Sequence, residues 1–193
     1  HSFELDPDAP PLRPGSHAEH LADKYGMTMA QAEQQLASIA AAFEREGLVF
    51  NWRQARGGNT RNAHRILEAA QDKGLGNAAQ EAFFQAYFTD GRAVGQLDVV
   101  RDIAAAIGLD AEEIDRALAS EEIEARITQD FRRARQLGMR GVPFFVFENQ
   151  VAVSGAQPDA AFVQAMERVA PPPLETIGDG GLVCDDNGCR IPE

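Results

Sequence analysis

Gly141-Val142-Pro143-Phe144-Phe145-Val146-Phe147 is the stretch on which the fold turns. It is aromatic and β-branched, which predicts a buried strand. Glu148-Asn149-Gln150 then predicts a tight turn, and Val151-Ala152-Val153 the returning strand of a hairpin. Ser154-Gly155-Ala156-Gln157 makes a further turn, and Pro158 stands near the first turn of a helix reaching about Val169. Pro171-Pro172-Pro173 stops that helix. A hairpin with one covering helix is not a self-sufficient sheet layer, so this segment reads as half of an α/β domain.

Upstream the periodicity is helical. Met29, Ala32, Leu36, Ile39 and Phe43 recur at steps of three and four and predict one apolar helix face. Thr28 and Gln31 have the spacing of a capping box, and Gly47 is the stop. Leu48-Val49-Phe50 predicts a short strand-like run. A second helix starts at Asn59 or Thr60 and turns Ala63, Ile66, Leu67 and Ala70 inward. Further helices are expected over 77–90, 97–107, 111–119 and 121–138, with Asp110 and Ser120 as caps. Phe83, Phe84, Tyr87 and Phe88 are expected to form the core of this helical block. At the other end, Ser2-Phe3-Glu4-Leu5 alternates as a strand would, and Asp6-Pro7 stops it.

Composition narrows the function. The 193 residues carry 18 Lys and Arg against 30 Asp and Glu, a net charge of −12. Phosphate neutralisation needs clustered cations, so nucleic-acid binding is not expected. No apolar run approaches the roughly 20 residues of a membrane span. His1–Pro7 has neither the basic start nor the apolar centre of a signal peptide, and the chain is expected to be soluble and cytoplasmic. Two cysteines, Cys184 and Cys189, are too few for a secreted disulfide scaffold. No metal site is expected, because two cysteines are half of a closed zinc site.

Gly141-Val142-Pro143 at the mouth of a strand resembles the cis-proline loop of thioredoxin-fold oxidoreductases. With Ser2–Leu5, the helical block, Asn59-Thr60 ahead of Ala63-His64-Arg65, and Ser154-Gly155-Ala156-Gln157, the chain to about Ala170 resembles a DsbA-family protein of the FrnE type. The resemblance implies an α/β thioredoxin-like domain with a large all-helical insertion. Residues 1–26 would be the end of the first βαβ part and a linker, 27–138 the insertion, and 139–170 the closing ββα part. Residues 171–193 would be a flexible tail. It also implies thiol–disulfide exchange on protein substrates, as oxidase or isomerase, in redox homeostasis or oxidative stress. Val142 and Pro143 would be the platform that pairs with a substrate strand. Such proteins carry a Cys-x-x-Cys at a helix start, where the helix terminus favours the thiolate. None is present here. That strand, turn and helix would add about 30–40 residues from ordinary element lengths. The β-α part is therefore expected to be missing from the sequence as a segment upstream of His1. The alternative is a protein without the usual nucleophile.

Cys184-Asp185-Asp186-Asn187-Gly188-Cys189 is a C-x4-C motif in which Asn187-Gly188 favours a turn. The neighbouring aspartates should raise the thiol pKa values. The pair reads as a secondary redox site; a dithiol without a role and half of a metal site are the competing readings. His64 is expected to hydrogen-bond across to the β part, with a catalytic role as the alternative. A rival function on the same fold is glutathione-dependent isomerisation of a small molecule, in which Asn59 and His64 would belong to a glutathione or substrate pocket. Trp52 is expected to lie in the core or line a groove. No other cofactor is required. A redox-inactive peptide-binding module is the second rival.

Overall fold

The computed structural model describes residues 1–171, 183–185 and 188–190. The chain divides into two compact units, His1–Gly138 and Met139–Glu193.

The first unit is helical among the described residues: α1 His17–Tyr25, α2 Met29–Arg45, α3 Arg61–Asp72, α4 Gly76–Phe84, α5 Leu97–Ala106, α6 Ala111–Ala119 and α7 Glu121–Gln136. Local chemistry sets most of the starts. Ser16, Thr28 and Asp110 each accept from the backbone N–H three residues on, and Glu19, Gln31 and Glu113 return the bond in reciprocal capping boxes. Ser120 caps α7. The segment expected as one helix over 77–90 is α4 followed by a π-helical turn, Gln85–Thr89. Two apolar clusters hold the unit together. One joins α3 to α7 around Ile66, Val100 and Ile127; the other joins α1 and α2 around Leu36, Phe50 and Trp52.

Two strand expectations fail here. Ser2–Leu5 is extended chain without a strand neighbour among the described residues. Its polar groups go elsewhere: the Ser2 N–H donates to Asp130 at 2.7 Å and the Ser2 hydroxyl to Glu68 at 3.1 Å. Phe3 stacks on Phe131 with centroids 5.3 Å apart. Leu48–Phe50 also forms no strand. The carbonyl of Val49 accepts from the Thr89 hydroxyl, and the adjoining Asn51 N–H donates to the Phe88 carbonyl, so this stretch ties to the π-helical turn. Helix α1 was not anticipated; its sequence signal is the Ser16/Glu19 capping pair.

The second unit contains β1 Phe144–Phe147, β2 Val151–Ser154 and α8 Asp159–Val169, and further on β3 Val183–Asp185 and β4 Gly188–Arg190. Strands β1 and β2 are antiparallel, with Phe144 opposite Ser154 and Phe147 opposite Val151. The turn between them places Glu148 and Asn149 at positive φ, 48° and 54°. Helix α8 covers one hairpin face, where Phe162 meets Phe145 edge-on at 4.9 Å.

Candidate functional site

The residues singled out in the sequence fall into separate places. Val142 is 51 % exposed, and the Val142–Pro143 peptide bond is cis. The Pro143 carbonyl accepts from the Gly155 N–H at 2.9 Å, which fastens the start of β1 to the Ser154–Gln157 turn. Val142 is thereby left at the surface on a backbone held from one side.

Cys184 and Cys189 stand directly opposite each other in the β3–β4 pair. Asp186 and Asn187 of that motif, and residues 172–182 and 191–193 of the expected flexible tail, lie outside the described residues.

Trp52 is buried in the α1–α2 cluster, with the Arg53 guanidinium over its ring at 4.0 Å. His64 lies on α3 and donates to the Phe3 carbonyl. Burial drives its pKa down to about 4, against the smaller upward pull of that hydrogen bond. The ring is neutral at physiological pH, and its visible work is to hold the N-terminal segment.

Asn59 has a different setting. The N-terminal Pro-rich segment passes under the loop before α3: the Asn59 amide donates to the Pro7 carbonyl at 2.8 Å and the Asn59 N–H to the Pro10 carbonyl at 2.9 Å. A side chain at Gly58 or Gly95 would run into the Pro11 carbonyl, so both positions require glycine for close approach.

The N-terminal segment, the start of α3 and one face of α7 line an open cleft of about 470 Å³. Glu124, Thr128, Phe131, Arg132 and Arg135 reach it from α7 at helical spacing. Asn59, Arg61 and Glu4 complete the polar wall. Arg61 is the hub: it binds Glu4 Oε2 at 3.1 Å, the Thr128 hydroxyl at 3.2 Å and both oxygens of Glu124, and lies 5.6 Å from the Phe131 centroid. Arg65 adds a second guanidinium to Glu124. Glu124 is held below the usual carboxylate range, chiefly by its hydrogen bond to Arg61. Glu4 is pushed up, because burial outweighs Arg61 and Asn59. Its residue exposure is 5 %, and Oε1 has no hydrogen-bond partner.

Of the three candidate pocket residues, Asn59 lines this cleft and His64 and Trp52 do not. Sequence reading singled out none of Arg61, Glu124, Arg132 and Arg135 as a site residue. The available signal was the spacing of 124, 128, 131, 132 and 135 on one helix face. No group of three or more His, Cys, Asp or Glu among the described residues is placed to hold a metal ion. No described helix is long and apolar enough to cross a membrane.

Comparison with known proteins follows the same outline. A family profile described as DSBA-like thioredoxin domain matches residues 1–167. The crystal structure of a probable DsbA oxidoreductase from Streptomyces coelicolor is similar over 100 % of this chain and 83 % of its own, at 36 % identity and a TM-score of 0.80. The cytosolic disulfide reductase DsbM from Pseudomonas aeruginosa, solved with glutathione, is similar over 60 % of this chain and 61 % of its own, at 25 % identity and a TM-score of 0.45. No curated protein matches the chain.

Proposed function

The chain belongs to the DSBA-like thioredoxin domain family, with the helix-rich fold of a thioredoxin-like domain carrying a helical insertion, and from that membership we propose that it serves thiol–disulfide exchange on protein substrates, as oxidase or isomerase. The observation that carries the reading is the whole-chain likeness to the probable DsbA oxidoreductase of Streptomyces coelicolor.

In this reading Val142 and Pro143 receive the substrate. The exposed Val142 offers a backbone that an extended substrate can pair with, and the Gly155 hydrogen bond to Pro143 keeps it in place. Exchange requires a thiolate that attacks one sulfur of a disulfide and releases the other as a thiolate, so electrons pass from the attacking dithiol to the substrate or the reverse. Residues 1–183 contain no cysteine. In this reading the primary pair is a Cys-x-x-Cys that residues 1–193 do not supply, and Cys184 and Cys189 are a secondary pair that exchanges with it. Their directly opposed backbone positions suit a disulfide, which needs Cα atoms within about 7 Å. The setting in this reading is the cytoplasm, where thiols are generally kept reduced.

The test is insulin reduction by the natural polypeptide that contains this chain, compared with its Cys184→Ser/Cys189→Ser variant. Retained but slower turnover is expected. Complete loss would place the primary chemistry in the C-x4-C pair, and no turnover by the parent would remove the reading.

A further inference from the structure

Helix α1 is short and is anchored by small side chains. Its buried residues are Ala18 and Ala22, and Tyr25 at its end is exposed. A glycine stands at each end, Gly15 at φ 87° and Gly26 at φ 64°. These left-handed positions let the chain turn sharply into and out of the helix. No neighbouring side chain crowds Gly26.

The half-buried His17 ring is what α1 contributes to the aromatic part of the α1–α2 cluster. It meets the Phe50 ring edge-on with centroids 6.3 Å apart and the Tyr87 ring at 6.5 Å. Its Nδ1 lies 3.4 Å from the Tyr87 hydroxyl. A neutral ring can accept the phenol proton there; a charged ring has no acceptor to offer. Burial, and then the charge of His20, hold the His17 pKa below the ordinary histidine value.

The surroundings of His17 all favour the neutral form. On α1 itself, Glu19 is taken by the Ser16 N–H, and His20 Nε2 is buried without a hydrogen-bond partner, so a proton there finds no acceptor. The N-terminal segment supplies a cation, Arg13, whose charge acts on Tyr87. Helix α2 presents Ala32, Leu36 and Phe43 to the cluster. The loop before α3 presents Phe50 and Trp52, the latter under the Arg53 guanidinium. The π-helical turn presents Tyr87 and Phe88. His17 is also the first residue of α1, where the positive end of the helix disfavours a cation. No carboxylate among the described residues acts on it.

We propose that α1 is a pH-released cover on this aromatic cluster: protonation of His17 lets the helix swing about Gly15 and Gly26 and bares the Phe50 and Tyr87 rings. The closed form is favoured above about pH 6.5 and loses ground as pH falls, because the open helix binds the proton more readily. In acid the helical unit thereby gains an apolar surface that it lacks at neutral pH. The device uses no thiol and does not rest on the exchange reading.

The test is amide hydrogen exchange of the full chain, read by NMR at residues 21–25 and corrected for the intrinsic effect of pH. At pH 7 these amides should be less protected than those of α3, the mark of local opening. Between pH 7 and pH 5 their protection should fall at least about threefold. One proton with an ordinary pKa of 6.5 sets a ceiling of about 25-fold. His17→Phe keeps an aromatic ring against Phe50 and cannot titrate, so its α1 protection should be flat over the same range. His17→Gln, smaller and equally untitratable, should be flat too and decides the matter if the phenylalanine does not fit. A flat profile in the parent would overturn the proposal. So would a fall that persists in a folded His17 variant, or α1 protection equal to that of α3 at pH 7, which would mean that α1 opens only with the whole unit.

Discussion

Arg61→Ala removes the only ion-pair partner that a buried carboxylate, Glu4, has among the described residues, and the cost of doing so depends on pH. In the parent, Arg61 binds Glu4 at 3.1 Å, and Glu4 is 4 % exposed at its side chain. Without Arg61 the lone carboxylate can escape by taking up a proton. At pH 7, protonating a carboxyl of ordinary pKa 4.5 costs about 3 kcal/mol, and that sets the ceiling on the Glu4 penalty. At pH 4.5 the same step costs well under about 1 kcal/mol. The sign follows from the raised folded pKa. Above 4.5 the folded state holds its proton more tightly than the unfolded state, so stability from Glu4 is present in acid and is lost as pH rises. Losing Arg61 raises that pKa further and deepens the loss at neutral pH. Glu124 acts in the same direction: its lowered pKa gives stability above its unfolded value, and Arg61 is the chief cause. Its share is small, because the side chain is 38 % exposed and screened. Urea unfolding at pH 7 and pH 4.5 reads the difference. We expect about 3 kcal/mol lost at pH 7, about 1 at pH 4.5, and most of the pH 7 loss restored by Glu4→Gln in the Arg61→Ala background. Equal losses at both pH values, or no rescue, would refute the reasoning.

Gly95→Ala should destabilise by about 2–4 kcal/mol, because its Cβ would meet the Pro11 and Asn59 carbonyls, both backbone and unable to swing away; thermal unfolding measures it. Glu148→Gly should stabilise by roughly 1 kcal/mol, since Glu148 has φ 48° and glycine removes the left-handed penalty, read by the same melt. His64, with its folded pKa at about 4, binds protons later than the unfolded chain, so stability should fall as pH drops from about 6.5 to 4, on the order of 3 kcal/mol in all. His64→Gln should flatten that limb of the stability–pH profile, and an unchanged profile would contradict the assignment.

The helices were legible because their signals are local. Thr28 with Gln31 and Asp110 with Glu113 announce themselves at fixed spacing, and the inward faces around Leu36 and Ile66 repeat with the helical period. The hairpin was legible for the same reason, through β-branched and aromatic runs around a three-residue turn. Ser2–Leu5 was misread because alternation describes burial and not pairing. Ser2 and Glu4 are the buried residues of that stretch, held by Asp130, Glu68 and Arg61, contacts that lie 57 to 128 positions away in sequence. Arg61, Arg132 and Arg135 escaped notice for a related reason. An arginine on a helix reads as solvated until another element supplies the opposing wall.

The measurement that bears most directly on the exchange reading is insulin reduction with dithiothreitol by the natural polypeptide containing this chain, before and after alkylation of its thiols. Turnover well above the reductant alone, abolished by alkylation, is the predicted result. Turnover no faster than the reductant, or turnover that survives complete alkylation, would contradict it.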